Sequence, residues 1–424
     1  MQEDFLHYIW KHKKFSVLNL ITTEHEKIDL VSVGTHNLNS GPDFFNAQLR
    51  IANQLWAGNV EIHVKSSDWF LHNHETDKAY DNVILHVVWE HDTDVFRKDN
   101  SKLPTIIIKD FVSDDSINSY TKLINNTANW INCETDFESV DDFTVQNWLE
   151  RLYLERLEEK SKKIESLLEQ SNNDWESVLF KLLAKNFGLK VNGDAFYSLA
   201  NSIDFSIVRK VLPNINQLEA LLFGQADLLY DQIEEPYYLD MQKEYAFLKQ
   251  KFKLDSQGVL PIQYFRLRPT NFPTIRISQL ANMYHLHHNL FSRIIDVKLL
   301  KDFYKLFSAS TSEFWESHYT FDKLSKPSKK TISKSFVDLL LINTIIPLKY
   351  CYAKHKGQDN HEDILKLIQN IKSEKNSIID KFQSLKPISN SALQSQGLLQ
   401  LKNSYCDKNK CLQCAIGNLI LNRN

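Results

Sequence analysis

An α+β fold is what this chain predicts: a β-rich N-terminal domain with an antiparallel or mixed sheet, followed by a large all-α domain. Three observations carry the prediction. From Phe15 to about Val112, short runs rich in Val, Ile, Leu and Phe alternate with turn residues. Beyond about residue 113, apolar residues recur at helical spacing with Glu, Lys and Arg between them. The length of 424 residues, with 42% hydrophobic and 24% charged side chains, suits two or three packed domains of ordinary soluble composition.

Taken in order, residues 1–15 read as a short helix. The expected strands are "FSVLNLI", "KIDLVSVG", "FFNAQLRIA", "LWAGNVEIHV", "NVILHVVWEHD" and "LPTIIIKDFV", interrupted by the loop "SSDWFLHNHETDKAYD" with room for one or two helical turns. The division falls at 112/113, giving a candidate metal or catalytic domain at 1–112 and a helical domain at 113–424. In the latter, "TVQNWLERLYLERLEEKSKKIESLLEQ" is an amphipathic helix of several turns. Further helices are expected at "DWESVLFKLLAKNFG", "GDAFYSLANSI", "INQLEALLFGQADLL", "YAFLKQKF", "RISQLANMYHLHHNLFSRII", "SFVDLLLINTIIPLKYCYAKH" and "EDILKLIQNI". "KLSKPSKKTISK" reads as a basic surface loop, and "SEFWESHYTF" as aromatic core.

The formal net charge of −3 offers no global attraction to nucleic acid or to a membrane surface. No run approaches the roughly 18 consecutive apolar residues of a membrane span, and the acidic start "MQEDF" is unlike a secretory signal. Five cysteines, an odd number, argue against a disulfide framework. A cytoplasmic protein with no membrane partner is expected. The chain holds no phosphate-binding glycine loop and no G-x-S-x-G elbow, which leaves kinase, dinucleotide-binding and serine-hydrolase classes without support.

Chemistry concentrates in "SGPDFFNAQLRIANQLWAGNVEIHVKSSDW". Alternation along a strand puts Val60, Ile62 and Val64 on one face and Glu61, His63 and Lys65 on the other. A hairpin of residues 45–51 with 55–64, turning near Asn53, has partners summing to about 106. That register sets Asp43 opposite residue 63, and a slip of one residue destroys the match. Buried without partners, such a polar face costs several kcal/mol per ion, so it is either solvated or built as a site. Carboxylates with an imidazole suit magnesium, manganese or zinc. Lys65 is placed to orient water or to stabilise developing negative charge. His72, His74, Asp77 and His86 lie close enough in sequence to complete a second shell or a second metal site, although a lone His86 in an apolar strand reads first as a satisfied core residue.

At the other end, "YCDKNKCLQCAIG" groups Cys406, Cys411 and Cys414. Thiolates at this spacing suit zinc or an iron–sulfur cluster, with Cys133 the natural fourth ligand and Cys351 or a histidine as substitutes. The alternative is that Cys411 and Cys414 are small apolar residues on an amphipathic helix. "YFRLRPTNFPTIRISQLA" carries Arg266, Arg268 and Arg276 beside a helix start, a candidate anion site. The favoured reading there is structural, with guanidiniums on loop carbonyls or on acids such as Glu219 or Asp227. The histidines of "YHLHHNLF" are spaced too closely on a helix to face one another.

Pro42-Asp43, a hairpin, an acidic position and Lys65 together resemble the PD-(D/E)xK nuclease superfamily, which implies a restriction-endonuclease-like sheet. The departure is that His63 occupies the position two before Lys65 where that plan has its second acid. Across nearly the whole chain, "SGPDFFNAQL", "GNVEIHVKSSDW", "HNHETDKAYDNVILHVVW", "LEALLFGQADLL", "RLRPTNFPTIRISQLA", "FWESHYTF" and "CLQCAIG" resemble the bacterial family catalogued as domain of unknown function 2851, which implies no activity. Two functional expectations follow. The first is a metal-dependent phosphodiesterase or nuclease with nucleic acid as substrate and its site in residues 41–91. The second is a non-enzymatic binding or scaffold protein with a structural metal site.

Overall fold

The computed structural model describes residues 1–124 and 129–422 and is α+β, with the sheet confined to the N-terminal part. Two compact units divide the chain. A sheet unit comprises residues 1–148, 384–387 and 400–424, and a helical unit comprises residues 149–383 and 388–399. The boundary expected at 112/113 therefore moves to 148/149. The reason is packing: Tyr120 and Leu123 of a helix at Asp114–Ile124, and Cys411 and Leu421 near the C-terminus, share one apolar core with the sheet. The cysteine cluster consequently belongs to the sheet unit and not to the helical one.

The sheet unit opens with helix α1 (Glu3–His12), acidic in its first turn and basic in its last, as the helix dipole favours. It buries Phe5, Leu6, Ile9 and Trp10. The sheet runs β1 (Leu20–Ile21), β2 (Lys27–Ser32), β4 (Phe44–Ile51), β5 (Gln54–Lys65), β6 (Val83–Glu90) and β7 (Thr105–Ile107), with β3 (Thr35–His36) pairing β4. Pairings from β1 to β5 are antiparallel, and β5, β6 and β7 run parallel. Between β5 and β6 the crossover holds helix α2 (Asp68–Leu71) and a short turn at Lys78–Tyr80, matching the one or two helical turns expected.

Burial follows topology. β4 alternates buried and exposed residues, whereas Asn59–His63 of β5 and Val83–Val88 of β6 are buried on both faces, as parallel strands are. The β4–β5 turn at Ala52 and Asn53 has φ of 46° and 68°, the positive pair a two-residue hairpin turn needs.

The hairpin register differs from the expected one in an instructive way. Near the turn, Leu49 faces Trp56 and Ala47 faces Gly58, one residue off the expected sum. Continued unbroken, this would turn Asp43 away from Glu61. A β-bulge between Phe44 and Ala47 inserts one extra residue, with Asn46 at φ 58°, and Phe44 then faces Val60. Asp43 thereby falls beside Glu61, and the shared face is restored.

The helical unit is built on the rest of the long helix Asp142–Gln170 and shorter helices around one core. Trp315 and Phe321 of "SEFWESHYTF" are buried in it, as expected. The expected surface loop at 323–334 is mostly exposed, but Lys330 turns inward, donating to Glu316 O (2.8 Å). The run Lys334–His355 is long and apolar enough to cross a membrane, yet most of it is buried inside the protein.

Candidate functional site

Asp43 and Glu61 hold each other in place. Asp43 N–H donates to Glu61 Oε2 (3.1 Å), and Asp43 Oδ2 accepts from Ile62 N–H (2.9 Å). Both carboxylates are thus fixed by backbone donors at the bulged end of the hairpin, and Glu61 is only 4% exposed.

Around the free oxygen of Glu61 stand three imidazoles. Glu61 Oε1 lies 3.5 Å from His63 Nε2 and 3.3 Å from His74 Nε2, and His63 Nε2 lies 3.2 Å from His72 Nδ1. The ligand atoms of His63, His72 and His74 all fall within 4.8 Å of one another. His63 is supplied by β5. His72 and His74 come from the loop after α2, where Asn73 at φ 60° turns the chain and the two rings meet edge-on with centroids 5.4 Å apart. His74 is clamped by stacking on Tyr80 at 3.8 Å and by the edge of buried Trp69. The loop base is tied down by Asp92, which accepts from Ser66 Oγ (2.9 Å), Ser67 N–H (2.9 Å) and Ser67 Oγ (2.7 Å); these bonds hold its carboxyl down at about 2.

These separations fit a metal ion. Ligands ~2.1 Å from a tetrahedral zinc stand ~3.4 Å from one another, and the three measured distances run from 3.2 to 3.5 Å. The outer contact fits as well. His63 Nδ1 lies 2.9 Å from Nε2 of His86, which is fully buried. With His63 Nε2 ligating, its Nδ1–H donates to His86, the arrangement that fixes the ring of a metal-bound histidine. His86 thus serves the site rather than the core alone, and its Nδ1 is buried without a partner.

A second group adjoins the first. The ligand atoms of Glu3, His7 and Asp43 also lie within 4.8 Å of one another. His7 Nε2 is 3.2 Å from Asp43 Oδ2 and 3.7 Å from Glu3 Oε1, off the line of a hydrogen bond. Glu3 and His7 sit one turn apart on α1. The sequence reading passed over them, although their i, i+4 spacing was the available signal.

Burial dominates the electrostatics. Desolvation, then the neighbouring Asp43, pushes Glu61 up to about 9. Desolvation, then His74 and His72, pushes His63 down to about 3, and His86 is held well below the usual histidine range. Burial also lowers His74, whereas at His7 the carboxylates of Asp43 and Glu3 outweigh burial and raise it. Without a cation, burial favours the neutral imidazole at His63 and His74 and the protonated acid at Glu61.

Several expected members stand apart. Lys65 is exposed at the end of β5; its backbone N–H donates to Asp68 Oδ2 (2.9 Å), and its ammonium reaches none of the ligands. Position 63, two residues after Glu61, holds the imidazole on the ligand face, and by Lys65 the strand has run past the site. Asp77 is exposed and caps the turn at Lys78–Tyr80 by accepting from Ala79 N–H (2.9 Å). The arginines do not form an anion site. Arg276 is buried, donating to Gln279 Oε1 (2.9 Å) and Asn271 Oδ1 (2.6 Å) with its guanidinium 3.7 Å over Phe336, while Arg266 and Arg268 are exposed. For Arg276 the partners are structural, amides in place of Glu219 or Asp227.

Cys133, Cys406, Cys411 and Cys414 line one small cavity. Cys351 is elsewhere, buried in the helical unit with Sγ 3.9 Å from Ser161 O.

No curated protein and no solved structure matches the chain. One family model does, over residues 3–377, which stops short of Cys406, Cys411 and Cys414 and of the full span that the sequence resemblance implied. On that match the chain belongs to the family described as protein of unknown function (DUF2851).

Proposed function

We propose that the sheet unit is a metal-dependent hydrolase of phosphodiesters, nuclease-like in its residue plan, with His63 where that plan has its second acid. The observation that best supports this is the pairing of two ligand groups through Asp43 and Glu61. Glu61 Oε1 adjoins the His63, His72 and His74 group through His63 and His74, and Asp43 belongs to the group of Glu3 and His7. A divalent ion there would polarise a phosphoryl oxygen and lower the pKa of the attacking water. Glu61 and the three histidines would hold it, His86 would orient His63, and Asp43 with His7 would take a proton or a second cation. Three imidazoles favour zinc or manganese over magnesium.

The test is cleavage of labelled single- and double-stranded DNA and RNA, and of a chromogenic phosphodiester, by protein loaded with zinc, manganese or magnesium. Wild type is expected to cleave with zinc or manganese. Glu61→Gln and His63→Ala should each lose ~10²-fold or more, and Lys65→Ala should retain activity. A folded, metal-loaded wild type that cleaves none of these substrates overturns the proposal. So does a Lys65→Ala variant as inactive as Glu61→Gln.

A further inference from the structure

We propose that Cys133, Cys406, Cys411 and Cys414 form a tetrathiolate site for a single zinc ion that staples the sheet unit. The site is separate from the centre at Glu61 and does not depend on the hydrolase reading.

Three observations carry it. The first is convergence. Cys133 lies in a turn where Asp136 N–H donates to Cys133 O (3.1 Å), some 270 residues before Cys406, which ends the helical segment Leu401–Cys406. Cys411 opens a tight turn and Cys414 immediately precedes the helix Ala415–Leu421. All four thiols nevertheless line the same cavity.

The second is size. The cavity measures about 20 Å³, room for one water-sized body. Its other walls are mostly apolar, with Ile131, Phe137, Leu401 and Ile416 among them. A single ion suits a cavity of this size. A soft, tetrahedral ion that favours thiolates is zinc.

The third is a donor on sulfur. Asn132 Nδ2–H donates to Cys411 Sγ (3.5 Å). Neutral thiols are weak acceptors, so a donor aimed at sulfur suits a thiolate. Gly417 is required for the close approach of its helix to Cys411, since a Cβ there would stand 2.2 Å from Cys411 O. On ligation each thiol releases its proton to solvent, and Lys410, which also lines the cavity, faces the resulting doubly negative centre.

The experiment uses the full chain. Zinc is measured by emission spectroscopy in wild type, Cys133→Ser and Cys414→Ser. The same proteins are then loaded with cobalt(II), whose sulfur-to-metal charge-transfer band reports thiolate ligation only. The expected result is a strong band in wild type and in Glu61→Gln, lost in both cysteine variants together with one equivalent of zinc. Should the variants fail to fold, wild type alone decides: zinc is expected to protect four thiols from alkylation, and a chelator to expose them. Absence of the sulfur band in cobalt-loaded wild type, iron with acid-labile sulfide at these cysteines, or alkylation as fast with zinc as without it would each overturn the proposal.

Discussion

At the level of single residues, Glu61 sets how the candidate centre responds to pH. Raised to about 9 by burial and by Asp43, it keeps its proton at neutral pH until an ion displaces it, whereas His63, held near 3, is already neutral. Metal affinity is therefore expected to rise roughly tenfold per pH unit from about pH 6 to about pH 9. Glu61→Gln should flatten that slope, and competition against a chromophoric chelator measures both. The same shift has the opposite sign for stability of the ion-free protein. Its folded pKa lies above the unfolded value of 4.5, so the contribution is full below that pH and is lost as pH rises toward about 9. If the proposed metal site is right, His86 positions His63, and His86→Phe should weaken metal binding by ~10–100-fold without abolishing it. An unchanged affinity would return His86 to the plain core role that its sequence context suggests. That context, one histidine in an apolar strand, holds no trace of His63, because the contact is made across parallel strands 23 residues apart.

At the level of elements, the strands and the hairpin turn were legible in sequence, since each follows from local composition and periodicity, whereas the burial of both faces of β5 was not. The bulge at Asn46 was not, because an extra residue in a strand leaves the local composition unchanged and shows only against the partner strand. Deleting Asn46 is expected to turn Asp43 off the Glu61 face and to cost ~10-fold or more in metal affinity. The sheet's far-ultraviolet circular dichroism should remain, and undiminished metal binding would show that the bulge does not set the site. In the helical unit, Lys349 closes the helix Leu290–Asp296, donating to Ile294 O (2.9 Å), Ile295 O (2.7 Å) and Val297 O (2.9 Å). Lys349→Met leaves those carbonyls without their donor and should lower stability by about 2–3 kcal/mol in denaturant unfolding.

For the whole molecule, the decisive feature is that residues 400–424 return to the sheet unit. Cys411 and Leu421 enter the core that holds Phe5, Tyr8 and Tyr120, and Tyr8 OH donates to Asn422 Oδ1 (3.3 Å). A chain truncated after Leu399 is expected to unfold its sheet unit at least ~5 °C earlier, with β-strand segments released first in limited proteolysis during heating. An unchanged midpoint would show that the return contributes little.

The sequence by itself determined the α+β class, most strands and long helices, Asp43, Glu61 and the histidines of residues 63–86 as candidates, and the grouping of the three C-terminal cysteines. Each of these is written in spacing along the chain. Only the tertiary structure decided which members meet. It brought Glu3 and His7 to Asp43, excluded Lys65, Asp77 and the arginines, and carried the C-terminal cysteines back to Cys133. Those outcomes depend on register, on one bulge and on core packing between residues far apart in sequence, and spacing along the chain encodes none of them.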